Sequence, residues 1–179
     1  MLDSTQAVLV VVDIQGRLAQ LMVDREQLFE NTKKAILGAR ALQLPLLCTE
    51  QVPDKLGPTV PELAEHLGDV QPIAKRAFSC AGDAGFNAAL EATGRRQVLL
   101  CGIETHICVY QTARDLIGRS YQVHLLADAV SSRNAKNRAV ALETMRSLGA
   151  RLTTVEMALF EMLGVAEGEV FRQVSRIVK

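Results

Sequence analysis

Three polar residues stand where apolar runs stop, and their types suit one kind of reaction. Asp13 closes the run Ala7 to Val12, Lys75 closes Gln71 to Ala74, and Cys108 follows Gln97 to Ile103. A cysteine attacks as its thiolate. At its usual pKa of about 8.5 a thiol is mostly protonated near neutrality, so it needs a proton acceptor and a positive charge. Asp13 suits the first role as a general base. Lys75 suits the second, and would also hold the carboxylate in place. The stretch Gly102 to Cys108 reads as a strand end, a turn and a helix start, with Thr105 as the N-cap. That puts Cys108 in a first helical turn, where unpaired N–H groups and the positive end of the helix dipole favour a thiolate. The N–H of Cys108 and one from the preceding turn are placed to bind a developing oxyanion. The chemistry is acyl transfer through a thioester, followed by attack of water. A strand, a glycine turn and a nucleophile on the next helix form the plan of a nucleophile elbow, although G-x-S-x-G is absent.

Each residue also has a plain structural reading. Asp13 can be a helix cap, Lys75-Arg76 a solvated loop start, and Cys108 a small core residue. Cys48 and Cys101 lie inside apolar strands and read as core. Cys80, in Ser79-Cys80-Ala81-Gly82, reads as an exposed, oxidisable loop cysteine. A redox role for Cys108 lacks a C-x-x-C partner. A binding or scaffold protein that keeps the three residues without turnover stands as the alternative to an enzyme.

The elements that must position these residues alternate. Strands are predicted at Ala7 to Val12, Pro45 to Thr49, Gln71 to Ala74, Gln97 to Ile103, Tyr121 to Leu126 and Arg151 to Val155. Helices are predicted at Arg25 to Leu42, Ala84 to Ala92, His106 to Ile117, Lys136 to Leu148, Ala158 to Leu163 and Glu169 to Ile177. Strands this uniformly apolar are buried on both faces. The pattern predicts a three-layer, doubly wound (Rossmann-like) α/β fold with a mostly parallel six-stranded sheet and helices on both faces. Ligands of such sheets bind beyond the carboxyl ends of the strands, where Asp13, Lys75 and Cys108 fall. The loop Gln51 to Pro61, with Pro53, Gly57, Pro58 and Pro61, is expected to be a substrate-facing lid or an interface loop.

Bulk properties narrow the function. Residues 1–179 fit a single domain with no linker or repeat. Twenty basic and twenty acidic residues cancel, and there is no Trp, which excludes a strong electrostatic draw toward nucleic acid or a membrane surface. No apolar run approaches the roughly 20 residues of a membrane span. No signal peptide is visible in the polar start Met1-Leu2-Asp3-Ser4. The four cysteines form no disulfide-like framework; a reduced, cytoplasmic setting is expected. No G-x-G-x-x-G or P-loop follows a strand.

The residues resemble a known superfamily over nearly the whole chain. Val10-Val11-Val12-Asp13-Ile14-Gln15, Lys75-Arg76-Ala77-Phe78-Ser79, Gly102 to Val109 and Asp128-Ala129 after the fifth strand are similar to segments of the isochorismatase-like cysteine hydrolases, which include nicotinamidases. Thr49-Glu50-Gln51, Leu56 to Glu62, Gln111-Thr112-Ala113 and Ala127 to Arg133 are similar to the isochorismatase domain-containing group. The resemblance implies a catalytic triad of Asp13, Lys75 and Cys108. It also implies a cis peptide between Ile103 and Glu104, with the Glu104 and Cys108 N–H groups as the oxyanion hole. Gln15, Phe78, Ile103, His106 and Ile107 are the expected pocket residues, with Tyr110 beside them; Gln15 can instead cap the following segment. The metal-binding D-x-H segment of nicotinamidases is missing: His66 reads as surface, His124 as a satisfied core or interface histidine, and His106 flanks the nucleophile. No metal and no cofactor are therefore expected. The retained cysteine favours hydrolysis of a small amide or related C–N or acyl bond over isochorismatase chemistry. A homo-oligomer is expected, because proteins of this kind commonly assemble through their helical faces.

Overall fold

The computed structural model describes all residues, 1–179. Six strands form one sheet: β1 (Ala7–Val12), β2 (Leu46–Gln51), β3 (Ile73–Lys75), β4 (Gln97–Ile103), β5 (Gln122–Ser131) and β6 (Arg151–Thr153). All pairings between them are parallel, in the order β3-β2-β1-β4-β5-β6. Nine helices cover it: α1 (Gly16–Gln20), α2 (Arg25–Ala41), α3 (Pro53–Leu56), α4 (Pro61–Leu67), α5 (Ala84–Ala92), α6 (Tyr110–Gly118), α7 (Ala135–Ser147), α8 (Val155–Leu163) and α9 (Gly168–Ile177). This is the expected doubly wound α/β fold.

Strand periodicity builds the two cores. Every residue of β1 and β4 is buried. Ala7, Leu9 and Val11 join Leu99, Cys101 and Ile103 in a core packed under α2, α4, α8 and α9. Val8, Val10 and Val12 join Val98 and Leu100 in a second core under α5, α6 and α7. Alternate residues of a strand face opposite sides, so each all-apolar strand serves both layers.

The strand order reverses beside β1, which lies between β2 and β4. The carboxyl ends at such a switch point leave a crevice. Register brings the polar residues level there: Val12 pairs with Thr49 and with Gly102, and Gln51 pairs with Lys75. Gly102 is required at this point. Its φ is +128°, and a Cβ there would stand 2.1 Å from the Val12 carbonyl oxygen, so only glycine lets β1 and β4 run this close.

Several boundaries differ from expectation. Lys75 is the last residue of β3 rather than the residue after it. A register shift between Leu100 and Gly102 lets β5 continue to Ser131, so Asp128 and Ala129 lie inside the strand, not after it. The expected helix from His106 begins instead as a π-turn, Thr105–Val109, which runs into α6. Thr105 makes no cap; its buried hydroxyl has no partner. The loop after Gln51 is no free lid. It contains α3 and the start of α4, and the Val60 N–H donates to the Ile14 carbonyl and the Gly16 N–H to the Pro58 carbonyl. Glu50 Oε1 accepts from both the N–H and the hydroxyl of Thr59 at 2.7 Å.

Candidate active site

Asp13 follows β1 with φ +53°, the left-handed region that aspartate tolerates better than most residues. Lys75 Nζ donates to Asp13 Oδ2 at 2.7 Å, to Gln51 Oε1 at 2.8 Å, and to the Ala77 and Phe78 carbonyls at 3.1 Å. Thr49 Oγ1 donates to Asp13 Oδ1 at 2.8 Å. Lys75 is 2% exposed and Asp13 2%. Charges buried this deeply persist only when paired and hydrogen-bonded, and here both conditions are met. An ammonium has three protons; four acceptors surround this one, so Lys75 has none left for a substrate.

Cys108 sits in the π-turn, 7% exposed. Burial pushes its thiol well above the usual range; the negative charge of Asp13 pushes it further, and Lys75 pulls it back. Burial thus works against the thiolate expected at a helix start. Cys80 is corrected too. It is fully buried, not exposed, and burial pushes its thiol to about 11. Cys48 and Cys101 are core, as expected, with Cys48 pushed to about 12 by burial.

The Ile103–Glu104 peptide is cis. The Glu104 N–H donates to no protein acceptor. Its buried carboxylate turns away to the chain after β5, where Oε1 accepts from the N–H and Nε of Arg133, both at 3.0 Å, and Oε2 from Nη2 at 3.2 Å. Burial alone would raise the Glu104 carboxyl, but the Arg133 hydrogen bonds outweigh it and hold the group below its usual range.

The expected pocket residues divide. Gln15 is fully buried and spent: Oε1 accepts from the Gln51 N–H at 2.6 Å, and Nε2 donates to the Gln51 and Gly57 carbonyls at 3.1 and 2.6 Å. Of the two readings, it clamps β2 to the following loop. Ile103 is wholly buried in the α2-side core, so it faces no pocket. His106 and Tyr110 share a groove of about 330 Å³ with Asn137, Val140 and Thr144. Residues two apart on a helical turn do not share a face, so His106 points to α7 and not with Cys108. Its Nδ1 lies 3.0 Å from Ser132 Oγ and its Nε2 3.4 Å from Asn137 Nδ2. Ile107 is half-buried against the second core. Phe78 is 54% exposed; its carbonyl touches Lys75 while its ring stands at the surface. A further groove, about 340 Å³, lies by Asp24, Asp128 and Arg138, away from Cys108. His124 is buried but unsatisfied: Nε2 has no partner, and burial lowers the ring to about 4.

Sequence reasoning missed Thr49 and Gln51. They are polar residues at the carboxyl end of an apolar strand, the same signal that marked Asp13 and Lys75. No group of three or more His, Cys, Asp and Glu side chains is arranged to hold a metal ion, and no helix is long and apolar enough to cross a membrane.

An isochorismatase domain profile matches residues 7–157. Isochorismatase domain-containing protein 2A of Mus musculus is 38% identical over 178 residues, covering 97% of this chain and 82% of that protein. The secreted isochorismatase effector Isc1 of Phytophthora sojae is 36% identical over 177 residues, covering 97% and 84%. Among solved structures, the MAR1 ribonuclease of Caenorhabditis elegans superposes with TM-score 0.92 at 35% identity, over 99% of this chain and 91% of that one. The YcaC gene product of Escherichia coli, described as an octameric hydrolase of unknown specificity, superposes with TM-score 0.92 at 26% identity, over 98% and 88%.

Proposed function

The chain belongs to the isochorismatase family, and from that premise we propose that it is a metal-independent cysteine hydrolase of a small amide or related acyl substrate. The fold is of hydrolase type. The observation that carries the reading is the buried Lys75–Asp13 pair beside the buried Cys108 thiol.

In the proposed reaction Sγ of Cys108 attacks the carbonyl carbon as its proton passes to Asp13. The oxyanion is met by the N–H groups of Glu104 and Cys108; the unpaired Glu104 N–H supports this role. Asp13 then gives the proton to the leaving nitrogen, the C–N bond breaks, and a thioester remains. Asp13 next takes a proton from water, which attacks the thioester; the C–S bond breaks, the acid leaves, and Asp13 returns the proton to Sγ of Cys108. Lys75 carries no step. It holds Asp13 in place, and all its protons are committed. Removing one oxyanion donor of this kind costs on the order of 10²–10³ in rate.

A panel of small amides, followed by intact-protein mass spectrometry, tests the proposal. A thioester mass is expected in wild type and none in Cys108→Ala. A scaffold with no turnover would give no adduct and no product with any amide. The nematode neighbour is named a ribonuclease; a formal charge of zero gives this chain no overall electrostatic draw toward a phosphate backbone. Self-assembly is part of the proposal. Phe78 after β3, Leu21 at the end of α1 and Leu56 at the end of α3 are exposed apolar residues that a second copy would cover, and light scattering gives the state. The four cysteines are unpaired, which supports a reducing compartment such as the cytoplasm; cell fractionation checks it against the secreted relative's example.

A further inference from the structure

We infer that Thr49 is a positioning residue for Asp13, and that the Cys80 thiol behind it sets the direction of its hydroxyl. The inference rests on the reading of Asp13 as the base.

An ionised carboxylate only accepts hydrogen bonds. The 2.8 Å contact between Thr49 Oγ1 and Asp13 Oδ1 therefore spends the single hydroxyl proton of Thr49. Thr49 Oγ1 also lies 3.6 Å from Cys80 Sγ. With its proton already given, the oxygen can only accept there, so the Cys80 S–H donates. The chain runs one way, from Cys80 to Thr49 to Asp13. The Cys80 backbone is anchored in turn, its N–H donating to Thr112 Oγ1 at 2.9 Å. Thr49, Cys80 and Thr112 are all wholly buried, so no solvent replaces these bonds.

The need for the chain follows from Asp13 itself. The χ2 torsion of aspartate is broad and roughly two-fold, so a single donor does not fix the carboxylate plane. Lys75 holds Oδ2 from β3, and Thr49 holds Oδ1 from β2. Together they leave the carboxylate one orientation toward Cys108. Valine would match threonine in shape inside this buried strand. A hydroxyl here costs free energy unless it is bonded, and its bond goes to the base.

The pH profile of Cys108 alkylation by iodoacetamide, followed by peptide mass spectrometry, tests this without a known substrate. The groups facing Asp13 are Lys75, Cys80 and Cys108, with Cys48 beyond Thr49. With Asp13 as the base for Cys108, wild type is expected to show an acid-side step before the alkaline rise. Asp13→Asn should abolish the step. Thr49→Val removes a bond to the carboxylate and disfavours its charged form, so the step should move to higher pH. Thr49→Ser should return it close to wild type, and Cys80→Ala should move it the same way by less. A Thr49→Val profile that superimposes on wild type overturns the inference and leaves the role of Asp13 intact. Coincident wild-type and Asp13→Asn profiles overturn both. If Thr49→Val does not fold, Thr49→Ala and Cys80→Ala carry the same test, and an unmoved step in both overturns the inference.

Discussion

Two ion pairs in this molecule have the same length and opposite surroundings. Lys75 and Asp13 meet at 2.7 Å at the carboxyl ends of β3 and β1, with side chains 0% and 3% exposed. Arg172 and Glu169 also meet at 2.7 Å, one turn apart on α9, with side chains 59% and 68% exposed. Distance is therefore not what separates them. In water the second pair gains little, because each partner is already solvated. The first pair has exchanged solvent for a fixed shell: Gln51, the Ala77 and Phe78 carbonyls and Thr49 complete the bonds that water would make. That shell is costly to assemble and makes each partner dependent on the other. A third place sharpens the contrast. His124 is as buried as Asp13 but has no partner on Nε2, and it solves the problem by staying neutral.

The largest effect is expected from breaking the buried pair. Lys75→Met should destabilise the fold by about 3–5 kcal/mol in urea titrations, because Asp13 is left as an uncompensated buried charge. Adding Asp13→Asn should recover most of the loss. If the double variant is no more stable than the single, the cost lies in packing of the lysine stem and the comparison fails.

His124 gives the next effect, through pH. Its folded value is depressed to about 4 from an ordinary 6.5. Between those values the unfolded chain binds the proton and the folded one does not, so stability falls as pH drops from 6.5 toward 4. The loss should reach on the order of 2 kcal/mol, and His124→Leu should remove that part of the pH dependence. Thermal unfolding at about pH 7.5, above that window, and at about pH 4.5, near its lower end, checks it; equal pH dependence in both proteins would mean that His124 is solvated.

A smaller effect tests the shell rather than the charges. Gln51→Leu deletes the only side-chain amide on Lys75 while leaving the Gln15 bonds to the backbone of residue 51 in place. It also removes the Gln51 Nε2 bond to the Arg76 carbonyl; roughly 1.5 kcal/mol is expected, the lower end for a bond to a charged group, together with slower thioester formation from any amide that acylates Cys108.

How much of this was legible in the chain depends on range. The strands could be read because burial on both faces leaves a continuous apolar run, as in Ala7–Val12. Asp13, Lys75 and Cys108 could be read because a polar residue ending such a run is conspicuous. Ile103 was readable in principle: it shares parity with Leu99 and Cys101, which face the α2-side core, and spacing alone would have withdrawn it from the pocket. The two-residue offset of His106 from Cys108 carried the same warning. Thr49, Gln51 and Gln15 were not readable as a network. Their bonds span 24 to 42 residues and exist only once the strand register levels them. The desolvation of Cys108 was hidden for a related reason, since burial is a property of the assembled layers and not of the first turn of a helix.

The smallest effect completes the comparison. Arg172→Ala removes a forked contact to Glu169 Oε2, through Nε at 3.1 Å and Nη2 at 2.7 Å. On length alone it would rank with Lys75. Exposed pairs one helical turn apart contribute only about 0.3–0.5 kcal/mol, and salt screens them. The expected loss is therefore below about 0.5 kcal/mol in dilute buffer. It should vanish at an ionic strength of about 1 M, where the Debye length is about 3 Å. The helix already has its anchor in Val174, which is wholly buried against the α2-side core. Urea titrations of wild type and Arg172→Ala at low and high salt measure the difference. A loss above about 1 kcal/mol that salt does not touch would show that the arginine stem, and not its charge, holds α9 against the body, and the contrast between the two 2.7 Å pairs would then rest on packing instead of solvation.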